Sequence, residues 1–273
     1  MRFAAALASC FVLSVSPVAA SDNDLIDRYF NALNMPEVFE ILREEGIESA
    51  LEIAERDEGI SVSPAWTSRV SAIYAVDKMD AAFRLGMGEV SNLEASTEAL
   101  EFFESELGRR IVAIELDARR ALGEDGIEDA MRDRAEAMLE EQPERIQKYA
   151  DFIRVNDLVD SNVMGALNAN LAFYQGLGTN PLFSGMDEQS MLARVYGQEA
   201  EIREDMVDWT MNFSVLAYSI LLDEELDAYI DASDSRPGQV LNTALFAGFD
   251  QVFELQSFEL GRAMAEFMEG DDT

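Results

Sequence analysis

The sequence predicts an all-α protein, a multi-helix bundle built from two loosely repeated helical-hairpin units. Three observations carry that expectation. Apolar residues recur at three- and four-residue intervals, helix-start and helix-stop residues bracket those runs, and strand-like alternation is scarce. The 273 residues are 48% apolar and 27% charged, a balance typical of a folded chain.

The first twenty residues read as an address. Met1 and Arg2 form a short positive start, and Phe3 to Val15 is small or apolar. Pro17-Val18-Ala19-Ala20 then supplies small residues ahead of the polar Ser21-Asp22-Asn23-Asp24. This is the layout of a secretory signal cleaved after Ala20, too short and wrongly flanked for a membrane anchor. Leu7-Ala8-Ser9-Cys10 resembles a lipoprotein box, but only nine residues precede the cysteine. Export without a second cysteine suits a bacterial periplasm, and no later stretch is apolar for eighteen residues. Residues 21–273 are expected to form one helical domain.

Within that domain each element has its own signal. Asn34-Met35-Pro36 is a turn with Pro at a helix start, leading into Glu37 to Arg56 with Val38, Ile41, Leu42 and Leu51 on one side. Ser63-Pro64 is a second, serine-capped start, and Val70, Ile73, Met79 and Phe83 continue its stripe. Ser91 and Glu94 read as a capping box before Leu93 to Phe103. Arg109 to Leu122 follows, ended by Gly123, and a charged helix runs from Ile127 to Glu141. Pro143 opens a long helix reaching Tyr174. Gly176, Gly178, Asn180, Pro181 and Gly185 mark a loop, and two or three helices take the chain from Asp187 to Met268.

An offset of 130 residues relates 64–122 weakly to 194–252. The shared core is Ser-x-x-Gly between two helical patterns, Ser105 with Gly108 and Ser235 with Gly238. Pro237 fits a first helical turn, where its missing N–H has no intrahelical partner to lose. Each serine is therefore expected to cap a helix, and each glycine to let that helix lie close to its predecessor.

The stretch Glu101-Phe102-Phe103-Glu104-Ser105-Glu106-Leu107-Gly108-Arg109-Arg110-Ile111 resembles an aromatic-x-Ser-x-x-Gly-basic element of an uncharacterised exported bacterial family, domain of unknown function 2059. The resemblance covers roughly fifty residues around Ser105, with a weaker second copy around Ser235. There Ala232 and Ser233 replace the aromatics and Gln239 the basic residue. The resemblance implies a helical periplasmic protein and supplies no reaction or catalytic residues.

Composition narrows the chemistry further. There is no histidine, and Cys10 is the only cysteine, so imidazole relays and Cys/His zinc sites are excluded. The net charge is −34, with 31 acidic against 13 basic residues in 21–145 and 23 against 6 in 146–273. Evenly spread acidity disfavours nucleic acid and anionic membrane surfaces as partners. No cofactor or metal site is expected, although an acidic surface leaves divalent-cation binding as an alternative role.

Ligand-contacting candidates come from one segment. Read as a helix, Val155, Leu158, Val159, Val163, Ala166, Leu167, Leu171 and Tyr174 form a stripe that also carries Asn162 and Asn170. Two amides on an apolar face need hydrogen-bond partners, which points to a polar layer between helices or a small-ligand site, with Asp160 nearby. Glu104-Ser105 resembles the Glu-Ser start of the lytic-transglycosylase active-site motif, which offers a cell-wall glycosidase as a further alternative. That chemistry needs a carboxyl raised by a dry pocket. The favoured expectation is a non-catalytic envelope protein that binds an unknown envelope partner or a small ligand in an interhelical groove.

Overall fold

A computed structural model describes residues 20–56, 62–124, 126–181, 185 and 187–270. Of the expected signal segment 1–20, residues 1–19 lie outside the described residues and Ala20 opens the first helix. The described residues are overwhelmingly helical and contain no strand, so the chain is an all-α multi-helix bundle. The helices are α1 (Ala20–Ala32), α2 (Met35–Arg56), α3 (Pro64–Ile73), α4 (Val76–Gly88), α5 (Thr97–Phe103), α6 (Glu106–Ala121) and α7 (Ile127–Glu141). They continue with α8 (Pro143–Val155), α9 (Leu158–Leu177), α10 (Glu188–Tyr196), α11 (Glu199–Tyr218), α12 (Asp223–Asp234) and α13 (Arg236–Gly270). A 3₁₀ turn, Leu93–Ser96, precedes α5.

The organising element is α13, whose 35 residues span about 50 Å at 1.5 Å each. It packs against α9, α4, the 3₁₀ turn, α3, α5 and α12. Small residues set the closest approaches. A β-carbon on Gly86 of α4 would lie 2.1 Å from the Ala247 carbonyl of α13, so this crossing admits only glycine without a backbone shift. Around it Phe30, Phe39, Phe83 and Phe249 join α1, α2, α4 and α13 through edge-to-face contacts of 4.9–5.9 Å. A smaller apolar cluster of Val163, Leu167 and Val195 seals α9 against α10.

Several expected boundaries move, for identifiable reasons. The stripe running from Val70 to Phe83 is cut at Tyr74–Ala75, where α3 ends and α4 begins. Ser63 does cap α3, its Oγ accepting from the Trp66 N–H at 3.2 Å. Ser91 caps nothing. Asn92, in the left-handed region at φ 63°, starts a 3₁₀ turn there instead, and no side chain caps it. The long helix expected from Pro143 to Tyr174 is divided between α8 and α9. Asp157 adopts φ 50° at the break, and the carbonyls of Val155 and Asn156 accept from the Gln239 and Asn242 amides of α13 at 2.7 and 2.8 Å. Because α13 satisfies the carbonyls that the next helical turn would have used, the chain can turn at little expense.

No described helix is long and apolar enough to cross a membrane.

Candidate functional site

The two Ser-x-x-Gly motifs form equivalent helix joints. Ser105 Oγ accepts from the Gly108 N–H at 3.0 Å, and Ser235 Oγ accepts from the Gly238 N–H at 3.1 Å. A β-carbon would lie 2.1 Å from the Phe102 carbonyl at Gly108, and 2.1 Å from the Ala232 carbonyl at Gly238. Each serine therefore satisfies an orphan N–H, and each glycine lets the new helix start against the end of the old one. The likeness observed is that of the joints. The break between α3 and α4 has no counterpart 130 residues on, because 204 and 205 lie inside α11.

The amide candidates on α9 are brought to one side of the helix but not to one site. Asn162 donates to the Leu158 carbonyl of its own helix at 2.6 Å. Asn170 donates to Gln198 Oε1, just before α11, at 3.4 Å. Asp160 is exposed and paired with Arg203 of α11. Both amides are half-buried. Asp160 and Asn170 thus serve the α9–α11 contact, while Asn162 is occupied by its own backbone.

Glu104 has the electrostatics of a surface ion pair. Arg28 of α1 grips it with two hydrogen bonds of 3.1 and 2.7 Å, and both side chains are more than two-fifths exposed. That guanidinium holds the carboxyl below the ordinary glutamate range, opposite to what a general acid at neutral pH requires. Among the described residues no three Asp, Glu, His or Cys side chains converge in an arrangement that could hold a metal ion.

One polar centre was not anticipated from the sequence. Glu115, on the inward side of α6, accepts from the Tyr218 hydroxyl at 2.6 Å and the Tyr229 hydroxyl at 3.0 Å. The residue is partly exposed, and desolvation of its carboxyl raises its pKa against the opposing effect of the two hydroxyls. Burial also pushes both phenols well above their ordinary range. Phe102, Phe103 and Phe152 pack against the Tyr229 ring, and Phe152 also against that of Tyr218. Beside it Arg145, 9% exposed, donates to the Tyr218 and Leu221 carbonyls at 2.7 and 2.8 Å and pairs with Asp223. The available sequence signal was an acid four residues after Ile111 and three before Ala118, two buried positions of the same helix.

The surface feature that combines charge with apolar area lies on α2. Glu44, Ile47, Glu48, Leu51, Glu52 and Glu55 share one helical face and line an open depression of about 410 Å³. Ile47 and Leu51 are half-buried against the core and keep part of their surface in solvent. Arg56 lies 3.5 Å from Glu52. Glu44, Glu48 and Glu55 have no ion-pair partner among the described residues. Elsewhere on the same helix, Glu37 and Glu45 are paired with Arg120 and Arg119 of α6.

No family model matches the chain, and neither the curated proteins nor the solved structures contain a significant match to it.

Proposed function

We propose that this chain is an exported, non-catalytic interaction protein of the bacterial envelope, and that it receives a cationic amphipathic segment of a partner on the outer face of α2. The observation that carries this reading is the juxtaposition on α2. Ile47 and Leu51 offer apolar contact beside a ridge of glutamates, three of which have no ion-pair partner among the described residues. A helix with Leu or Ile on one side and Lys or Arg along its edge would bury apolar area against the first and neutralise the second. The signal-like first twenty residues and the likeness of Glu101–Ile111 to domain of unknown function 2059 support the exported part of this reading.

The test is a titration with a synthetic Lys/Leu amphipathic helical peptide, followed by amide NMR shifts. Binding should perturb residues 44–55, weaken steeply as salt screens the charges, and fall in the exposed charge reversals Glu48→Lys and Glu55→Lys. Binding that is absent, or indifferent to those reversals, would overturn the proposal.

A further inference from the structure

Among the described helices of ten residues or more, α7 is the one that no side-chain hydrogen bond or ion pair ties to another helix. Its two arginines are engaged within it, Arg132 with Asp129 and Arg134 with Glu141, each at 3.1 Å. A single stripe docks it: Met131, Ala135 and Met138 are buried on one face, and the helix packs against α11 and α8. By contrast α6 sends Arg110 to α12 and Arg119 and Arg120 to α2, while α8 sends Arg145 and Lys148 to α12. Neither joint of α7 has a side-chain cap. Gly126, at φ 78°, precedes it with open space where a β-carbon would stand, and Gln142 separates it from Pro143 of α8.

Charge works against that contact. α7 carries six acids and two bases, and α11 carries five acids and one base. The base of α11, Arg203, is engaged by Glu199 and by Asp160 of α9. The bases of α8 are also occupied, Arg145 and Lys148 by α12 and Arg154 by Asp151. On α7 itself Asp133, Glu136 and Glu140 are exposed and have no ion-pair partner among the described residues. Two acidic helices are thus held together by a narrow apolar stripe, with no ion pair bridging them.

We propose that α7 is a flap sprung by like charge: it lifts from α11 and α8 as a unit at low ionic strength and closes when salt screens the repulsion. The length scales match. Packed helix axes lie about 8–10 Å apart, well inside the screening length of about 30 Å at 0.01 M salt and well outside that of about 3 Å at 1 M. Salt removes the opposing repulsion and leaves the apolar contact of Met131, Ala135 and Met138 in place. Opening bares those three side chains and the surface they cover, while the ion pairs that join α6 to α2 and α8 to α12 keep the rest of the bundle together. The flap is independent of the acidic face on α2.

Amide hydrogen exchange of the full chain, at one pH in about 0.01 M and about 1 M NaCl, tests the flap. In low salt the amides of 127–141 should exchange as a block and faster than those of α9 and α13. Salt should slow the block by about five-fold relative to α9 and α13, each screened like-charge contact contributing a small factor. The combined reversal Asp133→Lys, Glu136→Lys and Glu140→Lys, at exposed positions, should slow the block in low salt and abolish its salt response. Exchange of 127–141 at the rate of α13 in low salt, a relative rate indifferent to salt, or a salt response that survives the reversals would overturn the proposal. Should the reversed chain fail to fold, Ala135→Cys decides the matter. Its thiol, at a position 6% exposed, should be alkylated by iodoacetamide more slowly in high salt, and equal rates refute the flap.

Discussion

Gly176 of α9 and Gly261 of α13 occupy a reciprocal crossing. A β-carbon on Gly176 would stand 2.1 Å from the Phe258 carbonyl, and one on Gly261 would stand 2.1 Å from the Phe173 carbonyl. Each glycine thus faces the carbonyl three residues before the other, so the two backbones touch where side chains would normally separate them. Neither obstacle is a flexible side chain that could swing away. Gly176→Ala and Gly261→Ala should each destabilise the protein by roughly 1–3 kcal/mol, the usual range for forcing a methyl group into a packed contact. Denaturant unfolding measures this, and wild-type stability in both variants would show that the helices can separate freely.

The two Ser-x-x-Gly joints should respond alike. Ser105→Ala and Ser235→Ala each remove an N-cap acceptor, with an expected loss of about 0.5–2 kcal/mol. Gly108→Ala and Gly238→Ala should lose more than the matching serine variants, because the added carbon meets backbone within 2.1 Å in both joints. Urea midpoints of the four variants check the pairing. A large effect at one joint and none at the other would remove the equivalence.

Arg145 binds the end of α11 with geometry that lysine lacks. Its guanidinium reaches the Tyr218 and Leu221 carbonyls, the Tyr149 hydroxyl and Asp223 together. Truncation to alanine leaves carbonyl acceptors without their donor, which costs about 1–3 kcal/mol for a buried group. Arg145→Lys should restore only part of the loss, since a point ammonium cannot serve such a spread of acceptors. Thermal unfolding of both variants provides the comparison.

Glu104 and Glu115 should tilt the pH profile in opposite directions. Arg28 lowers the Glu104 carboxyl, so its contribution exists above the ordinary glutamate range and disappears as pH falls through the folded value. In Glu104→Gln the stability difference from wild type should therefore shrink in acid. Burial raises Glu115, whose contribution is lost in the alkaline direction instead. Measured as unfolding constants across pH, both glutamine variants should track wild type in acid and depart from it as pH rises, Glu104→Gln towards lower relative stability and Glu115→Gln towards higher.

The helical architecture was legible because its signals are local. Ser63 caps α3, the Ser-x-x-Gly joints have the expected capping bonds, and the apolar stripes face the core. Breaks imposed by distant parts of the chain were not legible. The division of α8 from α9 depends on Gln239 and Asn242, more than eighty residues away. The Glu115 centre was equally hidden, because Tyr218 and Tyr229 lie 103 and 114 residues from it. Asn162 and Asn170 stood out by composition, but only the structure reveals that one amide is satisfied within its own helix. On α2 the run of glutamates was visible, whereas the pairing of Glu45 and Glu37, and not of Glu44, Glu48 or Glu55, with cations among the described residues depends on where α6 places Arg119 and Arg120.

The interaction reading is tested most directly by placing a photoreactive residue at position 51, beside Glu48 and Glu52, in the full chain expressed in intact cells, with position 139 as the control. Leu139 is 58% exposed and lies on a different helix, α7. The account predicts a discrete adduct to a basic partner segment from position 51, absent from position 139 and lost when Glu48 and Glu55 are reversed to lysine. No adduct at 51, or the same adducts from both positions, would contradict it.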